Sequence, residues 1–469
     1  MRASPAGIIA AMFLSGVAAT FESAMLYAAL PTLIRDFGDP VTAGWLVTMH
    51  MLVGAATCIV VGRLGDMRGR KGVILVLIAL AAVGSVMSAL ATNYGVVLTG
   101  RALQGFSIGV LPLSMGILRE SLSPARLPVA IGLMTTAQGS GVAIGLILGG
   151  AIVDNFNWHW LFAFSAFLLI LAWLAVRFLV PARPGVPPRE PVDWVEGLLP
   201  APGIASVLLG ITYSKDLGWL DPQVLGLLAL GIAILGYWAR RSLHAREPFV
   251  DLRLLGTRNI ALANGMSVLL ALGTMQIVLL FSTYTQAPTW TMAGLGLSAT
   301  VAGLAKLPSN VLSLFAGPLS GFLTQKFGNR VPVVAGTLLA GIGWMAALPL
   351  PDTIVGVIVL LCVISFGTSG LNAAMPNVVI SSVPEGRTSE ALGMMQVIRG
   401  MFAAIGAQLI AVSLASDMVL APDGGAYFPS AAGFRFTMAW IGALTFIAAI
   451  AGCFLTARRP APQAAAASA

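Results

Sequence analysis

Charge is what this sequence has least of. Of 469 residues only 9% are Asp, Glu, Lys or Arg, while 58% are apolar; soluble chains carry about a quarter charged residues. A water-soluble fold has too little interior to hide that much apolar surface, so the chain reads as a polytopic membrane protein. Lysine occurs only at 71, 215, 306 and 326, an arginine bias that suggests a GC-rich bacterial source. Cys58, Cys362 and Cys453 lie far apart inside apolar runs, which argues against a disulfide framework and a zinc site. His50, His159 and His244 fall on separate segments without metal-ligand spacing. No nucleophile elbow or phosphate-binding loop occurs, so neither enzyme chemistry nor a cofactor is expected. The net charge of +8 raises nucleic acid as a partner, yet no basic patch carries interleaved aromatics. A cleavable leader is not expected: residues 1–7 hold one Arg, and the apolar run after them is too long.

What the chain does have is apolar windows of about 20 residues, each long enough to cross a bilayer. They fall near 7–31, 43–62, 72–91, 95–118, 128–152 and 160–180. A Pro- and charge-rich linker, ARPGVPPREPVDW, leads to two more at 197–214 and 222–239, and an Arg-rich joint follows from 240 to 258. Six further windows lie at 259–285, 297–320, 331–350, 353–377, 388–415 and 435–456. The fold class is therefore all-α with fourteen spans: a six-helix bundle (1–180), a linker with two extra helices (181–258), a second six-helix bundle (259–457) and a tail (458–469) expected to be disordered. Twelve spans, with the middle pair as a re-entrant hairpin, would keep the same sidedness; the length of both middle windows favours fourteen. Nearly all loop cations fall on one side, which predicts cytoplasmic termini in a bacterial inner membrane. Arg35, Lys215 and Arg435 are the exceptions, beside external loops.

The organising stretch is GRLGDMRGRK, residues 62–71, four cations against the single Asp66 between two apolar runs. Its glycines allow a tight turn. The pattern returns as GFLTQKFGNR, residues 321–330, with Gly62, Leu64, Gly69 and Lys71 matched by Gly321, Leu323, Gly328 and Arg330. Two related halves follow, each with this hairpin between its second and third helices. Gln325 stands where the first hairpin has Asp66, and only an acid can meet a neighbouring helix N-terminus by charge. The first hairpin (Gly62, Asp66, Arg70, Lys71) is thus predicted to be the stronger cytoplasmic latch, holding an outward-open state.

Ionisable residues at membrane depth are functional candidates by default. Counted along helices at about 1.5 Å per residue, Glu22 and Lys306 lie roughly 13 Å, and His50 and Arg101 roughly 10 Å, below the outer face. These four groups are predicted to share one layer, with Arg399 nearer the middle. Glu22 is the one acid so placed. Burial and a nearby Arg101 act on its ionisation in opposite senses, the balance a reversible proton carrier needs; a purely structural ion pair is the competing reading. A lone His such as His50 is more often a hydrogen-bonded packing residue than a transport group, and Lys306 could equally snorkel outward or face a cavity. Tyr27 and Met275 are candidate lining residues, although in so apolar a chain they could be plain packing. Three deep cations against one anion lean the substrate toward neutral, amphipathic or anionic small molecules.

Several stretches resemble the major facilitator superfamily of transporters. GRLGDMRGRK is similar to its signature loop, and LTGRALQGFSIG (98–109) to its fourth-helix motif, in which Arg101 would be associated with proton transfer and Gln104 follows it. ESAMLYAALP (22–31) resembles the first-helix motif of the fourteen-helix drug:proton antiporter branch, with Glu22 for the usual Asp and Tyr27 for the usual Asn. GVAIGLILGG (141–150) resembles the fifth-helix antiporter motif, with Gly141, Gly145, Gly149 and Gly150 in place and Leu146 for the expected Pro. The EPFVDLRLL joint and the VPEGRTSEALG segment look like the same branch. The resemblance implies two bundles rocking about a central site in a monomer, powered by a proton gradient, and exporting hydrophobic or amphipathic molecules. A proton-coupled importer of organic acids is the first alternative, encouraged by Leu146 and the cation excess; a non-transporting sensor is the second.

Overall fold

Backbone groups in hydrocarbon must be satisfied within their own segment, and this chain meets that demand with helices whose ends are set by local capping. The computed structural model describes residues 4–38, 40–123, 126–183, 193–245, 248–383, 388–422 and 427–456. The tail, most of the Pro-rich linker and part of VPEGRTSEALG lie outside them. Helix α1 (Pro5–Phe37) starts where Ser4 Oγ accepts the Gly7 N–H at 3.0 Å and stops at Gly38, φ 97°. It is followed by α2 (Pro40–Arg68), α3 (Arg70–Ala89), α4 (Tyr94–Gln104), α5 (Val110–Ser121), α6 (Leu127–Asn155) and α7 (His159–Leu179). A 3₁₀ stretch, Gly105–Gly109, joins α4 to α5 so that the two form one span.

A short helix α8 (Trp194–Leu198) leads into the hairpin of α9 (Pro200–Leu217) and α10 (Pro222–His244). The second bundle comprises α11 (Arg258–Leu272), α12 (Ile277–Gln286), α13 (Ala299–Phe327), α14 (Arg330–Ala346), α15 (Ile354–Ile380), α16 (Thr388–Ala415) and α17 (Ala431–Cys453). Helices α11 and α12 are two parts of one span, interrupted at Gly273–Gln276. A two-stranded hairpin between α16 and α17, Met418–Leu420 with Tyr427–Pro429, has no counterpart in the apolar-window reading. Among the described residues thirteen helical spans are long and apolar enough to cross a membrane, and α14, at 17 residues, is a shorter apolar fourteenth.

The middle pair is part of the transmembrane body. Helices α9 and α10 are held together at Gly203, Gly210 and Gly231, where a Cβ would press on the partner helix. Thr212 of α9 accepts hydrogen bonds from Trp45 Nε1 of α2 and Gln408 Nε2 of α16, both at 2.9 Å. Gln408 in turn accepts from Thr48 Oγ1 at 3.1 Å. One hydroxyl of the extra pair thus rests on the seam between the two bundles. On the linker side of α8, Asp193 pairs with Arg241 at 2.7 Å, and this ion pair holds the Asp193 carboxyl below its ordinary range.

GRLGDMRGRK is not a loop but the last turns of α2 and the first of α3. The turn is the single residue Gly69, at φ 88°, and Gly328 between α13 and α14 repeats it at φ 83°. Both positions need the left-handed backbone that only glycine adopts freely, so the repeat read in the sequence is a repeat in geometry. The end of the molecule that carries these two turns is called the basic face below, and the opposite end the far face.

The glycines of α6 set its distance from its neighbours. A Cβ at Gly145 would sit 2.8 Å from Ala24 Cβ and 3.0 Å from the Phe21 carbonyl, and one at Gly149 would sit 3.2 Å from Met25 Cα. Gly141 is as close to Thr20 and the Val17 carbonyl. Small residues at such intervals let backbones touch, which is the main source of helix affinity in lipid. Replacing Gly145 with Val should therefore push α6 off α1 and cost about 1–3 kcal/mol, seen as a lower thermal unfolding midpoint of the purified protein. An unchanged midpoint would contradict this packing.

Candidate transport site

Five helices of the first bundle converge on one carboxyl. Glu22, in the middle of α1, is fully buried, and its Oε1 accepts hydrogen bonds from Ser85 of α3 at 3.0 Å and Ser165 of α7 at 3.5 Å. Gln104 Nε2 donates to Ser85 Oγ at 2.7 Å, and Arg101 Nη1 donates to Gln104 Oε1 at 2.7 Å. Every donor in this chain points from the guanidinium toward the carboxyl. Arg101 also donates to the Leu46 carbonyl of α2 at 2.9 Å and to the Glu22 carbonyl at 3.3 Å. The charged groups are thus neighbours without being a direct ion pair: an amide and a hydroxyl stand between them. Among the described residues Glu22 Oε2 has no partner in full hydrogen-bond geometry, and the group that lies beside the carboxyl there is the hydroxyl of Ser107 in the 3₁₀ stretch.

His50 belongs to the same assembly. Its Nε2 lies 2.9 Å from Ser23 Oγ, while Nδ1 is buried without a partner among the described residues. The 3₁₀ stretch explains the fit, because Gly105 lies against the His50 carbonyl, where a Cβ would come to 2.6 Å. Tyr27, half-buried on α1, contributes its carbonyl, which accepts from Ser282 Oγ of α12 at 2.6 Å.

Neither of the other deep cations, Lys306 and Arg399, joins this network. Lys306 is buried inside the second bundle and donates to Ser309 at 2.8 Å and Ser365 at 2.5 Å. It neither snorkels to the surface nor reaches the Glu22 network; it borders a gap of about 20 Å³ shared with Ala28, Leu146 and Ser282. Depth is one coordinate, and rotation about the helix axis, which depth does not give, separates Lys306 from Glu22. Arg399 lies on α16 beside a cavity of about 370 Å³, formed by α11, α15, α16 and the Gly273–Gln276 break.

Among the described residues, several close contacts between the bundles lie at the far face. Asp154, at the end of α6, accepts the N–H groups of Ala299 and Thr300 at 3.0 and 2.8 Å and so caps α13. The carboxylate meets unsatisfied amides at the positive end of a helix dipole. Gly150 lies against the same turn, where a Cβ would be 2.5 Å from the Ala299 carbonyl, and Gly303 faces the Leu146 carbonyl at 2.6 Å. Gln286 donates to the Ala28 carbonyl at 3.2 Å, and Gly44 touches Ala411. At the basic face, by contrast, Asp66 and Glu120 both pair with Arg70 at 2.7 Å, and Lys71 donates to the Arg177 and Val180 carbonyls at 2.9 and 2.5 Å. These bonds stay within the first bundle, and a Cβ on Gly62 would meet open space. The side chain of Gln325 lies outside what is described.

Two helical bundles with ionisable groups in their interior and a cavity within the second bundle are the architecture of a polytopic membrane transport protein. The sequence matches the Major Facilitator Superfamily over residues 12–407, and the chain belongs to that family. Among curated relatives, the Multidrug transporter protein MdtP of Bacillus subtilis is 25% identical over 85% of this chain and 72% of its own length. The Tetracenomycin C resistance and export protein of Streptomyces glaucescens is 25% identical over 89% of this chain and 77% of its own. Among solved structures, an inward-facing, unoccupied bacterial homologue of the human lysosomal transporter Spinster superposes with a TM-score of 0.69 at 14% identity, covering 96% of this chain and 97% of that one. A D-xylose–proton symporter gives 0.65 at 16%, covering 96% and 97%. At such identities the structural likeness concerns the fold.

Sequence reasoning missed Asp154, which looks like an ordinary acid at the end of a span. Asp154→Ala should weaken the cap by about 1 kcal/mol, a roughly fivefold change in population. In a chain freed of Cys58, Cys362 and Cys453, a cysteine at Ala302 should then react several-fold faster with an impermeant maleimide added at the far face. An unchanged rate would contradict a role in far-face closure.

Proposed function

We propose that the protein is a proton-coupled exporter of hydrophobic or amphipathic small molecules, with the basic face in the cytoplasm and both termini there. The observation that carries this reading is the Glu22 carboxyl, wholly removed from water, bonded through Oε1 to a donor chain that ends on Arg101, with only the Ser107 hydroxyl beside it otherwise among the described residues. Such an acid exchanges a proton only when the surrounding helices admit water, so its protonation is tied to conformation. Among the described residues no direct ion pair holds Glu22, as a static structural role would require: Gln104 and Ser85 stand between it and Arg101.

In this reading the described conformation is closed outside, by Asp154 and the glycine contacts of α6, and open inside toward the cavity beside Arg399. The cytoplasmic latch of Gly62, Asp66, Arg70 and Lys71 is released, its charges turned on Glu120 and on the carbonyls of α7. Substrate would enter from the cytoplasm, and alternating access would follow as external protons reach Glu22. The multidrug and antibiotic-export names of the relatives agree with outward transport. One observation favours import of organic acids instead: α6 runs unbroken from Leu127 to Asn155 through Leu146, without the kink a proline would supply.

Purified protein in liposomes under an imposed pH gradient tests both, using lipophilic cations, neutral amphiphiles and organic acids as substrates. Glu22→Gln should abolish flux driven by the gradient while leaving substrate exchange at equal pH. Gradient-driven flux at the wild-type rate in that variant would defeat the proposal, and net uptake down the proton gradient would select the importer.

A further inference from the structure

The cavity in the second bundle has a composition of its own. Its polar lining is Arg399, Asn372, Gln396 and Ser267, and its apolar lining includes Met275, Met375 and Met395. At about 370 Å³ it falls in the range of small-molecule sites. Arg399 sits eleven residues into α16, about 16 Å from the basic face by helical rise, too deep to snorkel comfortably. Its one hydrogen bond among the described residues runs from Nη1 to Asn372 Oδ1 at 3.2 Å, and no carboxylate there pairs with it. A guanidinium has five donors and stays protonated, and a neutral amide cannot balance its charge. A charge at this depth without a counter-ion is costly, and the protein retains it on a cavity wall with Gln396 exposed one turn before it.

We infer that this cavity binds the substrate by its anionic end: Arg399 takes a carboxylate, sulfonate or phosphate, and the methionines and Leu270 take an apolar body. The inference rests on the transport reading above and narrows its substrate class to amphipathic organic anions. A planar fork is suited to two-point recognition of such anions, and flexible thioethers adapt to apolar bodies of different shape. The site lies in the second bundle and the Glu22 network in the first, so binding of the anion and of the proton are separable by mutation.

The test uses two probes that differ by one sulfonate, 1-anilinonaphthalene-8-sulfonate and N-phenyl-1-naphthylamine. Both brighten in apolar surroundings. Binding is measured to the full chain in nanodiscs of phosphatidylcholine alone, which removes anionic lipid headgroups as occupants, with empty discs subtracted. Wild-type protein should prefer the sulfonate by about tenfold or more, Arg399→Gln should bring the two affinities together, and Arg399→Lys should keep a reduced preference. Should Arg399→Gln fail to fold, Met395→Trp, which fills the cavity, decides instead and should lose both probes. Equal affinities in wild type, an undiminished preference in Arg399→Gln, or sulfonate binding retained by Met395→Trp would overturn the inference. Wild-type proton-driven flux in Glu22→Gln with the sulfonate preference intact would remove the carrier reading and leave this one standing.

Discussion

A carboxyl held where water does not reach is the constraint around which the first bundle is arranged. Leaving a buried polar group unsatisfied costs about 1–3 kcal/mol, and more when it is charged. Glu22 avoids most of that cost through helices far apart in sequence: hydroxyls from α3 and α7, an amide and a guanidinium from α4, and a carbonyl from α2 that fixes the guanidinium. Each of these partners depends on close helix packing, which explains why so many contacts around the site are made by glycine. Gly84 and Gly100 let α3 and α4 touch at their carbonyls, and Gly145 brings α6 against the turn of α1 that holds Phe21. The other oxygen, Oε2, has no partner in full hydrogen-bond geometry among the described residues, and in the proposed mechanism it is where the proton binds.

The same packing logic governs how the bundles meet. At the far face they touch backbone to backbone, through Gly150 on Ala299 and Gly303 on Leu146, and Asp154 adds charge to the seam. At the basic face Arg70 and Lys71 are satisfied within the first bundle. The fifth-helix glycine motif therefore has two jobs on one helix. Gly141, Gly145 and Gly149 seat α6 on α1, while Gly150 reaches the other bundle. In the proposed mechanism that division lets α6 move with its own bundle while its end makes and breaks the external seal.

Much of this was legible in the sequence, because lipid imposes length and polarity on every span. Apolar windows located the helices, and the paired hairpins announced two halves whose turns, at Gly69 and Gly328, share one backbone conformation. The boundaries were drawn too short where charge was taken to end a helix: α2 runs on to Arg68, since a helix leaving the bilayer carries its arginines with it. Three features were beyond the sequence for stated reasons. Lys306 shares its depth with Glu22, but the facing of its helix puts it among Ser309 and Ser365. Asp154 acts only because the first turn of α13, remote in sequence, starts against it. The break comes at Gly273, which packs against Ile441; one glycine inside a long apolar window does not by itself say that the helix is interrupted there.

The central claim is that Glu22 gains and loses a proton at the hub of this network. Infrared difference spectroscopy of the membrane-embedded protein, titrated across pH and compared with Glu22→Gln, reads that event directly. The account predicts a protonated-carboxyl band that fades as pH rises and is missing from the variant. A band that is independent of pH, or that survives in Glu22→Gln, would contradict it.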